Sequence, residues 1–362
     1  MSAVHQFVPM LHRDDAVGRH TLRLRDILGE RGIASRIYVE MTDPETAHET
    51  RHFTEYGDEA EAGDVLLYQF ATASAIAPWL AGRRERLAIN YHNVTPPELY
   101  AAWNNPMARH QLRAMHELTL LAPRTTLGIA VSAFNEGELR HAGYARTAVV
   151  PPAAMAPTTG GGATNRGGEH AGRRQGGRWL CVGRVAPNKA IELALMALLV
   201  TRAHHDSAAT LRVVGRPVVP AYTRALLRFA YELGVHDAVS FTGQLSDADL
   251  VTAMAESDAL VMASQHEGFG VPVLEAMSMG LPVVANDSGA LPEIVGDAGL
   301  LVDASDPYAL AGAVARMAVT LTSAPLSRGR RRSGSRRWTS RRRGTARSTS
   351  SPPSAPDRST LS

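Results

Sequence analysis

Short apolar runs alternate with longer amphipathic ones along most of this chain. β-rich runs fall at about 2–8, 35–39, 64–69, 86–91, 127–131 and 147–150. Helical periodicity fills the gaps, most clearly at 16–30 and 105–122. After residues 151–178 the alternation restarts. The pattern there predicts strands at 178–184, 210–214, 238–242, 258–263, 281–286 and 299–302, with helices at 187–204, 220–233, 246–256, 272–279 and 306–318. Strand–helix alternation of this kind predicts parallel sheets with helices on both faces. The expected fold is α/β: two Rossmann-like doubly wound domains, 1–152 and 178–320, facing a cleft.

The interruption has its own composition. Eight glycines lie within 158–177, so 153–177 reads as a flexible linker. Beyond residue 320 the pattern ends in an Arg/Ser-rich stretch, 321–362, nearly free of aliphatic residues and expected to be disordered. This stretch also sets the charge. It holds eleven Arg and one acidic residue, so taking its charge of about +10 from the net +3 leaves a body near −7. An acidic body argues against nucleic acid as a partner. Hydrophobic residues make up 44% of the 362, enough for two cores. The one cysteine, Cys181, excludes an internal disulfide framework. No apolar run reaches the roughly 18 residues of a membrane span, and no signal peptide is apparent. A cytoplasmic location is expected, with peripheral contact at the inner membrane face left open.

Of 38 basic residues only Lys189 is a lysine. It lies in W-L-C-V-G-R-V-A-P-N-K-A-I-E-L, which reads as a strand ending at Arg184, a short loop, then a helix with Pro187 in its first turn. A cation in that turn opposes the helix dipole unless an anion sits between them. Arg184 and Lys189 are therefore candidates for a diphosphate clamp; alone, they read equally as two solvated cations.

The segment S-Q-H-E-G-F-G-V-P-V-L-E-A-M carries the stronger signal. Glu267 and Gly268 to Gly270 fall in a loop after a strand, and Glu275 about one turn into the next helix. Glycines before a helix leave amides approachable by a ligand. Carboxylates accept hydrogen bonds from sugar hydroxyls. The loop suits a polyol joined to phosphate, although each glutamate taken singly could be a helix-dipole or surface charge.

Four blocks resemble the family 4 retaining glycosyltransferases of the GT-B fold, which carry an E-x7-E motif. They are D-D-A-V-G-R-H-T-L, V-G-R-V-A-P-N-K, E-G-F-G-V-P-V-L-E-A-M and P-V-V-A-N-D-S-G-A-L-P-E-I-V-G-D-A-G-L-L-V. The resemblance implies that Arg184 and Lys189 grip the donor diphosphate and that Glu267 contacts the transferred sugar. It implies further that Glu275 holds the ribose and that Gly268, Phe269 and Gly270 offer amides. In the first domain it points to Gly18, whose amide would approach a phosphate, and to His92 at a strand end, facing the reacting carbon. His92 and Glu267 are thus the catalytic candidates.

Asp247 and Asp249 form a D-x-D, but Ser246 before them marks a helix cap rather than a metal site. The expectation is a metal-independent hexosyltransferase acting on a nucleoside diphosphate sugar with retention and needing no cofactor. The acceptor, whether glycan, lipid or small molecule, is unknown. The rivals are a sugar-nucleotide epimerase and a catalytically impaired GT-B-like binding protein. The second arises because the family ends in a helix returning to the first domain, where this chain has the Arg/Ser stretch.

Overall fold

A computed structural model describes residues 3–13, 15–61, 63–152 and 177–323. The linker, apart from Gly177, and the Arg/Ser stretch beyond Ser323 lie outside the described residues.

Two sheets form. The first contains β1 (Val4–Met10), β2 (Ile37–Met41), β3 (Thr50–His52), β4 (Val65–Phe70), β5 (Arg86–Tyr91), β6 (Thr125–Ala130) and β7 (Thr147–Val149), in the order β3-β2-β1-β4-β5-β6-β7. The second contains β8 (Arg178–Val182), β9 (Thr210–Val214), β10 (Val239–Gly243), β11 (Ala259–Met262), β12 (Val283–Asn286) and β13 (Leu300–Val302), in the order β10-β9-β8-β11-β12-β13. Their strand pairs are parallel. In both sheets the order reverses at the first strand. That switch point opens a crevice at the strands' C-terminal ends, where ligands bind in such folds.

The strands form because they can be buried on both faces, which demands near-continuous apolar sequence. β11, Ala-Leu-Val-Met, is buried throughout. One face of the first sheet is aromatic, with Phe7 stacked on Tyr38 at 5.1 Å and Tyr56 edge-on to both. The opposite face packs Val8, Leu11, Ile37 and Val39 under the helix Ala16–Glu30. Besides His5, three amide side chains break the apolar rule. Gln6, Gln69 and Asn90 are buried in the central strands β1, β4 and β5.

The domains meet directly. Tyr100 of the first is buried in the core of the second, and Trp103 packs edge-on to Tyr222 at 5.2 Å. Ser132 Oγ donates to the Gly268 carbonyl at 2.8 Å, and the Ala133 amide to Glu293 Oε2 at 2.8 Å. His266 Nε2 lies 2.6 Å from Asn93 Oδ1.

Three expectations need correction. β3 went unread because Thr-Arg-His is a polar, exposed edge strand without hydrophobic signature. The run 187–204 is not one helix. Pro187–Lys189 is a 3-10 turn, Ala190 takes a left-handed φ of 46°, and the helix starts at Ile191. Lys189 therefore precedes the helix instead of occupying its first turn. The strand before the glutamate loop, read as 258–263, spans Ala259–Met262.

Candidate functional site

The site gathers at the C-terminal ends of β8, β11 and β12. Gly183, after β8, has φ 145°, and a Cβ there would press on the Lys189 side chain. The strand end thus lets the lysine lie close against the backbone. The Lys189 ammonium forms an ion pair with Glu267 Oε2, both side chains largely shielded. Lys189 and Gly183 also line a small crevice with Met262, Ala263 and Ser264. Arg184 is exposed and makes no ion pair among the described residues. The two cations are neighbours in sequence, but the lysine is engaged by a carboxylate and the arginine is free.

The Glu267 loop is held from three sides. The Gln265 amide donates to the Asn188 carbonyl at 2.9 Å, and Asn188 Nδ2 to the His266 carbonyl at 3.2 Å. From β12, Asn286 and Ser288 both donate to the Ser264 carbonyl. The Ala290 amide donates to the Glu267 carbonyl at 2.8 Å, beside Gly289 with φ 57°. From the first domain, Asn93 presses against Gly268 so closely that a Cβ on that glycine would overlap it. Asn93 itself adopts φ 88°, a costly conformation for a side-chain-bearing residue.

Gly270, φ 84°, caps the helix Val271–Ser278 and turns the chain into it, with Phe269 buried beside it. Glu275 lies in the second turn and is 7% exposed. Burial raises its pKa, with Arg19 of the first domain pulling it back and Asp247 pushing it further up. No donor among the described residues hydrogen-bonds its carboxylate. Arg19 lies within 3.4 Å of Asp247, so it reaches from the first domain toward the second.

His92 follows β5, its amide donating to the Phe70 carbonyl at 2.8 Å. Burial, with His20 as the smaller cause, lowers its pKa to about 3, so it is neutral. Gly18 is differently placed from expectation. Its amide donates to Asp15 Oδ1 at 2.6 Å as part of the helix cap, and a Cβ there would overlap the His12 carbonyl. Close backbone packing requires the glycine, and its amide is already occupied. At the D-x-D, Ser246 Oγ accepts from the Asp249 amide at 3.2 Å and donates to Asp249 Oδ2 at 2.7 Å, which is a cap. Among the described residues no group of three or more His, Cys, Asp or Glu is placed to hold a metal ion. No described helix is long and apolar enough to cross a membrane.

The sequence did not single out Asn93, Ser132, His266, Arg19 or Gly289. The first four make contacts between the domains, and Gly289 braces the Glu267 loop from within the second. Only the fold reveals that, because each pairs with a partner far along the chain.

Residues 176–319 match the family of group 1 glycosyl transferases. Mannosylfructose-phosphate synthase of Agrobacterium fabrum is 31% identical over 103 residues, which is 27% of this chain and only 23% of that protein's length. Among solved structures, the Anabaena HepE protein in complex with UDP and glucose superposes with a TM-score of 0.65 at 19% identity, covering 89% of this chain and 95% of that one. Sucrose-phosphate synthase from Thermosynechococcus elongatus gives 0.65 at 19%, covering 89% and 92%. The chain has the GT-B fold, and the stretch that matches the group 1 glycosyl transferases coincides with its second domain.

Proposed function

We propose that this protein transfers a hexose from a nucleoside diphosphate sugar to an acceptor hydroxyl, with retention and without a metal. The observation that carries the reading is Glu275, a buried carboxylate without a protein donor at the C-terminal edge of the second sheet. Burying a carboxylate is costly unless donors are supplied, and the vicinal hydroxyls of a ribose would supply two. In the loop before that helix, Glu267 forms with Lys189 a cation–anion pair that a sugar diphosphate would bridge. The phosphate would take the ammonium and a sugar hydroxyl the carboxylate. Arg184 would contribute a second cation. The HepE complex with UDP and glucose supports a donor of this class.

No residue is assigned as covalent nucleophile. In the proposed step the bond from the sugar's anomeric carbon to the phosphate oxygen breaks. A bond to the acceptor oxygen forms on the same face, and the acceptor's proton passes to the departing phosphate. The protein positions the reactants and neutralises the leaving group. Neutral His92 serves as a hydrogen-bonding group, not a base.

The test is a screen of nucleoside diphosphate sugars by thermal shift. It is followed by a transfer assay in excess chelator, with the anomeric configuration of the product read by proton NMR. Stabilisation by one donor and transfer with retention despite the chelator are expected. Activity lost on chelation and restored by magnesium or manganese would overturn metal independence. Donor binding without any turnover would favour the non-catalytic reading.

A further inference from the structure

The three buried amides in the first sheet form one directed chain, and its direction is set by a backbone carbonyl. Gln6 Nε2 donates to the Thr21 carbonyl at 3.0 Å. A carbonyl only accepts, so the amide nitrogen of Gln6 must face it and Gln6 Oε1 must face the other way. Gln69 meets that oxygen at 2.8 Å and must present Nε2 to it. Gln69 Oε1 then faces outward along the sheet. It lies 3.0 Å from Asn90 Nδ2 and 2.7 Å from His92 Nε2. An oxygen with two lone pairs and no proton accepts from both. His92 must therefore carry its proton on Nε2, and its Nδ1 must be a bare lone pair.

The same logic reaches His20. Asn90 Nδ2 spends its second proton on His20 Nε2, 2.8 Å away, so His20 is protonated on Nδ1. This leaves Asn90 Oδ1 buried without a donor. Turning that amide over would not help, because it would set two oxygens face to face at Gln69. The unsatisfied oxygen is what the fixed polarity predicts. The two histidine rings lie edge to face at 5.3 Å, and burial lowers the pKa of both, which keeps both tautomers neutral.

We propose that Gln69 is a positioning residue: anchored through Gln6 to the Thr21 carbonyl, it locks His92 in the Nε2–H tautomer, so that Nδ1 is the acceptor offered to a hydroxyl of the transferred sugar. The second half rests on the donor reading given above. The first half does not. Nδ1 makes no hydrogen bond within the described residues, and His92 is partly exposed with its carbonyl beside the Gly268 loop. A ring free to switch tautomers would present a donor there part of the time. The relay removes that choice before substrate arrives, which is preorganisation of a hydrogen bond needed in the transition state.

The experiment is long-range proton–nitrogen NMR on the full chain with labelled histidine, the His92 signals assigned by their loss in His92→Asn. In the wild type, His92 Nε2 should appear as a protonated nitrogen and Nδ1 as an unprotonated one. Gln69→Met, which keeps the length but removes all three side-chain hydrogen bonds, should move both His92 signals toward averaged values. It should lower kcat for sugar transfer at least about tenfold, as expected for loss of a positioned hydrogen bond. Affinity for the free nucleoside diphosphate, which lacks the transferred sugar, should be unchanged. A wild-type His92 protonated on Nδ1, or an Nε2–H signature that survives Gln69→Met, would overturn the proposal without any reference to activity. A merely structural Gln69 would lower the melting temperature but leave the tautomer signals and kcat in place. If no nucleoside diphosphate binds at all, the donor reading fails, and the wild-type spectrum still decides the relay.

Discussion

At the scale of single residues, the two glutamates of the motif differ in their neighbours more than in their chemistry. Glu267 has a cation paired with it, whereas Glu275 is governed by burial, with Arg19 opposing and Asp247 adding to its effect. Glu275→Gln should therefore separate function from stability. The folded pKa of Glu275 is raised, so its contribution to stability is present at low pH and lost as pH rises through the folded value. At neutral pH the glutamine should leave the protein as stable as before or more so. Affinity for both the intact donor and the free nucleoside diphosphate should fall by roughly 1.5–3 kcal/mol, the scale of a hydrogen bond to a charged group. Glu267→Gln should leave the free diphosphate nearly unaffected and depress kcat, since the contacts proposed for it are to the sugar. Calorimetry and steady-state kinetics read the two signatures, and a swap between them would reverse the assignment. Lys189→Ala should weaken the free diphosphate by a similar roughly 1.5–3 kcal/mol. Unchanged calorimetric affinity would remove Lys189 from the donor site.

At the scale of elements, the loop Ser264–Gly270 functions as one rigid piece because backbone carbonyls along it are claimed by neighbours. The tightest support is Gly289, where φ is 57° and a Cβ would lie 2.5 Å from the Glu267 carbonyl oxygen. Gly289→Ala should cost roughly 1–3 kcal/mol in chemical denaturation, combining left-handed strain with a backbone clash. It should also reduce sugar transfer more than nucleotide binding. A variant with unaltered stability would mean that the loop yields easily. Elements of this kind were unevenly legible. Buried parallel strands such as Ala259–Met262 announce themselves as apolar runs, and Gly270 before Pro272 marks a helix start. The left-handed Ala190 leaves no such mark, because alanine favours helix and tertiary packing overrides it. Hence Lys189 was read one turn too far into a helix. The relay was visible only in part. An amide interrupting L-L-Y-Q-F and another in L-A-I-N-Y are odd in apolar strands, yet nothing local says that they meet. Their pairing depends on the strand order β1-β4-β5, a property of the sheet.

At the scale of the whole molecule, the seam between domains is polar and partly titratable, and this gives the protein a distinctive pH profile. Glu138, in the helix Ala133–His141, accepts from Tyr91 Oη at 3.0 Å and from Asn93 Nδ2 at 2.9 Å. Asn93 is in turn the residue that meets His266 and Gly268 across the seam. Burial raises the Glu138 pKa to about 7, against the opposing hydrogen bond from Tyr91. A carboxyl with a raised folded pKa stabilises fully below its unfolded value near 4.5, and that contribution is lost as pH rises through 7. His92 acts at the other end. Its folded pKa is lowered to about 3, so its contribution is present above the unfolded value near 6.5 and is lost as pH falls toward 3. The two groups confine maximum stability to mildly acidic or neutral pH. Glu138→Gln isolates one limb. The amide keeps an oxygen to accept from Tyr91 and Asn93 but cannot ionise. Thermal melts should therefore coincide with wild type near pH 5. At pH 8 the variant should be more stable by about 1–2 kcal/mol, a figure reduced from the full shift because the group retains some solvent contact. The acid limb should be unchanged, since His92 is untouched. Parallel profiles of variant and wild type from pH 5 to pH 8 would show that Glu138 is not the group that weakens the protein in alkali, and that the Asn93 side of the seam does not depend on its charge.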